Sequence, residues 1–183
     1  MSKPCSGHFY GTIGYRNAEK NKAQNSANRA IIASKDIDTR EHPTKYKQMS
    51  SKKLKELREK KKNHTITKEE YKRLNWQTRL TKRRNEAVKD FGEKEVYLIR
   101  NNLPTTRNWS AQQMQEILSG QKPKYNGRTM SSHHMYSVAK YPHLANRMEL
   151  IFPATQYEHI YGWHGGNTRN SLPGKPIKII QEF

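Results

Sequence analysis

The chain has 183 residues, with 35 Lys and Arg against 16 Asp and Glu, a net charge of +19 and a pI near 10.1. Only 32% of the residues are hydrophobic and the mean hydropathy is −1.14, which is too little apolar mass for a uniform core along the whole length and leaves no apolar run long enough to span a bilayer. The excess of positive charge predicts a polyanionic partner: nucleic acid, an anionic surface or an acidic protein.

Residues 1–50 read as an irregular segment, rich in Asn, Ser, Lys and Gly. The N-terminus lacks the apolar centre of a signal peptide. Cys5 is the only cysteine, so no internal disulfide forms, and nothing beside it makes a cysteine metal site. A short helix is expected around Ala30-Ile31-Ile32-Ala33, within Ala27 to Ser34, and His42-Pro43 should break helical structure. The segment suits a connector, or an arm that folds on a partner.

Residues 51–100 hold 17 basic and 8 acidic groups, a balance of +9 against +5 on either side, so this is the strongest electrostatic region. Ser51 to Lys62 predicts a lysine-rich helix anchored by Leu54 and Leu57. Thr67 and Glu70 then form a T-x-x-E capping box, with Ile66 and Tyr71 at the positions of a hydrophobic staple. Tyr71, Leu74, Ala87, Val88 and Phe91 give an apolar stripe that Gly92 should end. Lys72, Arg73, Arg79, Lys82, Arg83 and Arg84 cover the rest, either to lie along phosphates or as a solvated face. Val96-Tyr97-Leu98-Ile99 reads as a short strand or the end of an extended connection. Ser110 and Gln113 cap another helix, with Trp109 and Met114 as its staple. Met114, Ile117 and Leu118 are its expected core face, and Gly120 is its stop. Residues 51–104 are therefore expected to be a basic helical region.

Five of the eight histidines, His133, His134, His143, His159 and His164, fall between 133 and 164, more than chance placement would put there. Gly127 to Ser132 reads as a turn leading into a strand that ends in His133-His134. Neighbours on a strand face opposite ways, so one imidazole of the pair can face a metal while the other faces water or substrate. Thr155 to Tyr161 reads as a helix start carrying His159, and His164 follows a glycine-containing step. Neutral imidazoles suit zinc and other divalent metals. His143, in Tyr141-Pro142-His143-Leu144, reads as structural, and His8, His42 and His64 receive no role.

The run Ser132-His133-His134-Met135-Tyr136-Ser137-Val138, then Tyr141 to Asn146, Glu158-His159 and Trp163-His164-Gly165-Gly166-Asn167, resembles the HNH/endonuclease VII superfamily. More narrowly, it resembles the SHH and GHH nuclease toxin domains at the C-termini of bacterial polymorphic toxins, over roughly residues 105–175. The resemblance implies a ββα-metal (His-Me finger) module in an α+β protein, occupying residues 105–183, that grips one divalent ion (Mg²⁺, Zn²⁺ or Mn²⁺). It implies His133 and His159 as metal ligands, His134 as the general base that activates water, and His164 as a further ligand or phosphate contact. Many such domains carry an asparagine just before the strand preceding the metal helix. Here Glu149 holds that place and Asn146 lies three residues earlier, so either Asn146 fixes the loop from a shifted position or Glu149 replaces it. Arg128, Arg147 and Arg169 are candidates for holding flanking phosphates, with nothing to choose among them.

The resulting expectation is a metal-dependent endonuclease acting on DNA, secreted or injected as an antibacterial toxin into a target-cell cytoplasm, and countered by an acidic immunity protein. The alternatives are an RNase on the same scaffold, and a non-catalytic basic nucleic-acid-binding protein with a structural metal. A structural site normally closes with cysteine ligands, and Cys5 lies far from the histidines in sequence.

Overall fold

The computed structural model describes residues 37–42, 44–168, 170, 173 and 174. The helix expected at Ala27 to Ser34 lies outside them, as does Arg169. Among the described residues the architecture is α+β: three helices, then two small antiparallel sheets and a helical turn.

Helix α1 spans Ser51–Lys62, and Ser50 Oγ accepts from Lys53 N–H at its start. Its Leu57 is fully buried against Met49 and Leu74, with Leu54 and Ile66 packed alongside. The chain turns back through His64, held at φ 56°, into α2, Lys68–Arg100. The Thr67–Glu70 capping box forms as the sequence indicates. Tyr71 does not join the core. It is 42% exposed, with Lys61 Nζ over its ring.

Helix α2 also corrects two expectations. It does not stop at Gly92, and Val96 to Ile99 is helical, not extended. The reason is periodicity. Leu74, Gln77, Leu80, Ala87, Phe91, Glu95 and Leu98 are all buried, continuing one face at helical spacing straight through Gly92. A glycine mid-helix costs only about 1 kcal/mol relative to alanine, less than that face gains by packing. Glu95 hides this pattern in the sequence. It is buried, and its carboxylate accepts from Trp109 Nε1 (2.8 Å) and from the Thr106 N–H and hydroxyl. The true stop is Asn102 at φ 51°, after which Leu103 N–H donates back to Leu98 O.

The 33-residue α2 is the spine of the molecule, about 50 Å long at 1.5 Å per residue. Its first turns pack on α1. Leu80 and Trp76 meet Val138 and Ala145. Ala87 and Phe91 meet Ile151. Val96 and Ile99 meet Trp109, Ile117 and Met130. Helix α3, Ala111–Leu118, is short and carries the expected Ser110–Gln113 box. Only part of its predicted core face is inward: Ile117 is buried, whereas Leu118 is 38% exposed.

Strands β1 (Lys124–Tyr125) and β2 (Arg128–Thr129) form a hairpin through Asn126-Gly127, both at positive φ (48° and 73°), the requirement of a tight type I′ turn. Strand β3, Ser131–His134, pairs antiparallel with β4, Ile151–Ala154, setting His133 opposite Phe152 and His134 opposite Ile151. The connection between them carries two short 3₁₀ turns, Pro142–Leu144 and Met148–Leu150. A π-helical turn, Glu158–Trp163, follows β4.

One buried ion pair fixes that last turn. Arg107 Nη1 and Nη2 reach Glu158 Oε2 and Oε1 at 2.7 and 2.8 Å, with side chains 5% and 1% exposed. Arg107 Nη1 also donates to Pro153 O at 2.8 Å. Glu158 and Thr155 cap each other reciprocally, Thr155 N–H on the carboxylate and Glu158 N–H on the hydroxyl. Removing one member of such a pair strands the other's charge in the interior. Glu158→Gln is therefore expected to lower the unfolding free energy by about 3–5 kcal/mol, measured by urea denaturation, and a loss below about 1 kcal/mol would show that the pair is not holding the turn.

Candidate functional site

Strand β3 and the π-helical turn converge on one cleft. His133 and His134 are both buried, and alternation along β3 turns only the His133 ring onto His159 and His164. His133, His159 and His164 bring one ring nitrogen each within 4.8 Å of one another. Their ring centroids lie 4.8 Å (His133–His159), 5.6 Å (His133–His164) and 4.8 Å (His159–His164) apart. The π geometry matters here. His159 lies within the turn and His164 is its C-terminal cap, so the wide turn brings the ends of this five-residue step together. Trp163, fully buried, backs the His133 ring at 4.7 Å.

The protonation states follow from burial. His133 is pushed down to about 3, first by desolvation and then by the neighbouring His159, His164 and His134. His159 is lowered by burial and by His164. Both imidazoles are neutral at pH 7 and carry a free lone pair. His133 Nε2 is buried and has no hydrogen-bond partner, an orphan that needs a ligand. His164 Nδ1 lies against the Asn170 carbonyl. A carbonyl only accepts, so Nδ1 carries the proton and Nε2 the lone pair. These features fit a cation held by three imidazoles.

His134 sits apart from the three. Its Nε2 lies 3.2 Å from Ala145 O, and by the same argument Nε2 is the donor and Nδ1 the free base. Burial and the Arg84 guanidinium lower its pKa, partly offset by the Ala145 bond.

Asn146 does not hold His134. Its Oδ1 accepts from Arg83 Nη2 at 2.7 Å, and the same Nη2 donates to His143 O at 2.9 Å. Glu149 is paired with Arg147 at 2.9 Å, so no hydrogen bond joins either candidate side chain to His134. A main-chain carbonyl one residue before Asn146 makes that contact instead. Arg147 does not line the cleft. Arg128 is exposed on β2, beside a different hollow.

The cleft, about 390 Å³, is lined by His133, His134, His159, His164 and Arg84 together with small polar residues, and by no carboxylate. Arg84, from the middle of α2, is the functional candidate that the sequence did not single out. No ion pair neutralises it among the described residues, and its buried Nε has no partner. In sequence it is one of ten cations between Lys68 and Arg100. Only the fold separates it from the solvated ones. A guanidinium without an ion-pair partner in a cleft that no described carboxylate lines is a favourable place for an anion. A larger, mostly apolar cavity of about 610 Å³ lies between α2 and α3, but no histidine lines it, so the chemistry belongs to the smaller cleft.

Asp38, His42 and His143 make a second group of close donors. Most of their bonds are committed, Asp38 to Arg40 and His42, and His143 Nε2 to Asp38 O at 2.6 Å, while His143 Nδ1 is buried without a hydrogen-bond partner. With His42 N–H on Lys140 O and Lys140 on Glu41, they tie residues 38–42 to the 137–145 connection.

Residues 69–154 match the family model described as GHH signature containing HNH/Endo VII superfamily nuclease toxin. This segment is a little under half the chain, and nucleases of that family use divalent metals. The match takes in most of α2 with Arg84, and both His133 and His134. It ends before His159 and His164. No curated protein and no solved structure gives a significant match to the chain.

Without metal, the depressed pKa of His133 works against the folded state in acid. The unfolded chain binds a proton at His133 below its ordinary value of 6.5, whereas the folded chain resists until about 3. Stability is thus full above pH 6.5 and is lost as the pH falls toward 3, by about 1.4 kcal/mol per pH unit for one such group. Urea denaturation in EDTA at several pH values between 7 and 4 should show this slope, and His133→Ala should reduce it by about 1 kcal/mol per unit.

Proposed function

We propose that this chain is a metal-dependent endonuclease, cutting DNA as a secreted antibacterial toxin. The observation that carries the reading is the meeting of His133, His159 and His164 beside His134 and Arg84, in a cleft with no acidic residue. The nuclease toxin domain over residues 69–154 supports it from the sequence side.

His133, His159 and His164 would hold one divalent ion. When bound, that ion supplies Lewis-acid polarisation of the scissile phosphate and stabilises the leaving oxygen. The remaining work falls to this chain's own groups. His134 Nδ1 takes a proton from the attacking water. Its Nε2–H stays on the Ala145 carbonyl, which holds the ring in the correct tautomer and orientation. Burial keeps His134 unprotonated at pH 7, so the base is available at the start of each turnover. Arg84 meets the negative charge that builds on the phosphate oxygens.

The wider +19 charge supplies sequence-independent affinity for the backbone, strongest on the surface of α1 and α2 and steeply salt-dependent. The same charge suits an acidic immunity protein as the cognate inhibitor. The site of action in this reading is the target-cell cytoplasm.

Purified protein mixed with supercoiled plasmid and Mg²⁺, Mn²⁺ or Zn²⁺ should nick and linearise it, and EDTA should stop the reaction. His134→Ala should lower the cleavage rate by about 10²–10⁴ with DNA binding retained. Wild-type cutting by that variant sinks the base assignment, and cutting of RNA in place of plasmid assigns an RNase. Arg84→Ala should lower kcat by about 10²–10³ with little change in KM, and Arg84→Lys should recover part of it.

A further inference from the structure

The π-helical turn has a second face. Tyr157 and Tyr161 stand on it, each 49% exposed, with ring centroids 4.8 Å apart. Two large aromatic rings left side by side in solvent are unusual in so hydrophilic a chain. They line a hollow of about 480 Å³ together with Tyr125, Asn126 and Arg128 of the β1–β2 hairpin. Arg128 is exposed and makes no ion pair among the described residues. Tyr157 and Tyr161 lie two residues to either side of His159, so their side chains leave the turn on the side away from the histidine cleft. The hollow is therefore a separate place, with its own aromatic faces and its own cation.

We infer that this hollow is a nucleobase subsite: Tyr157 and Tyr161 stack an unpaired base while Arg128 holds its phosphate, so the substrate is a single-stranded or locally unpaired nucleic acid. This inference rests on the nuclease reading for its ligand. Bases in a duplex have both faces covered by their neighbours, so only an unpaired base offers a face to tyrosine. An aromatic platform next to a lone arginine is the chemistry that sequence-tolerant single-strand binding uses. The spacing fits. A helical turn with its side chains is about 10–12 Å across, which a strand rising about 3.4 Å per nucleotide covers in roughly three steps. The base on the platform would then lie about three nucleotides from the bond that is cut. The hollow's neighbours carry no carboxylate that would repel the strand. Stacking is indifferent to the sugar, so unpaired DNA and RNA share this chemistry.

The test uses the full chain in a His134→Ala background, so that no substrate is consumed. Single-stranded DNA, single-stranded RNA and a matched duplex, each containing 2-aminopurine, are titrated with the protein. Tyr157→Ala with Tyr161→Ala should weaken single-strand binding about tenfold and abolish the quenching of the stacked 2-aminopurine. Duplex affinity should stay unchanged. The Tyr→Phe pair should restore both signals, because the ring and not the hydroxyl does the stacking, and far-UV circular dichroism checks that the alanine pair folds. The tighter of the two single strands identifies the sugar. Unchanged single-strand affinity and quenching in the alanine pair, or an equal loss on duplex, would overturn the subsite. If these variants behave as wild type while the parent protein still cuts plasmid, the subsite fails and the nuclease reading stands. If quenching depends on the tyrosines while the parent cuts nothing under any metal, the nuclease reading fails and the subsite stands.

Discussion

The geometry of the histidine cleft depends on a pair of charges that never touches it. Arg107 and Glu158 are almost wholly removed from water, so their mutual attraction is set against a large desolvation cost. That cost is offset only because every remaining donor and acceptor is used. Arg107 takes the Pro153 carbonyl and lies over the Phe152 ring, and Glu158 takes the Thr155 N–H. The pair thus joins the loop after α2 to strand β4 and the start of the π-helical turn, which lie 46 and 51 residues further along the chain. His159 is the next residue. Its ring meets His133 because the residue before it cannot move without exposing a buried charge.

Within the cleft the same electrostatic economy runs the other way. Among the described residues no carboxylate lines it, and burial lowers the pKa of His133, His134 and His159. The interior therefore holds lone pairs for a cation, and Arg84 holds an unspent positive charge for an anion. A phosphodiester near a divalent ion satisfies both. Helix α2 links this cleft to the rest of the molecule, because the helix that carries Arg84 into the site also carries much of the basic surface. The proposed phosphate contact and much of the basic surface therefore lie on the same helix.

Much of this was legible in the residues. Both capping boxes, the stop at Gly120, the strand ending in His133-His134 and the grouping of those histidines with His159 and His164 all follow from local patterns. The failures share a cause. The helix beyond Gly92 was missed because its inward face contains Glu95, a charged residue whose partners, Thr106 and Trp109, are only supplied by the fold. Glu158, adjacent to a candidate ligand, looks like part of the chemistry and is instead scaffolding. Arg84 could not be told from Arg79 or Lys82 without knowing which side of the helix faces β3. The atom that orients His134 belongs to a peptide group, and peptide groups leave no mark on a sequence.

The π-helical turn has a consequence for how the chain can vary in length. A π turn accommodates one more residue per turn than the α-helix around which most ligand spacings are understood. A zinc-type spacing of four would place two imidazoles on one face of an ordinary helix. Here the step is five, His159 to His164, and the wider turn absorbs the difference. The two imidazoles and the backbone that holds them can change only together. The sixteen residues between β3 and β4 are held differently, by the Ala145 bond, by contacts to α2 and by bonds to residues 38–42. Insertions and deletions among related chains should therefore avoid the six residues from His159 to His164.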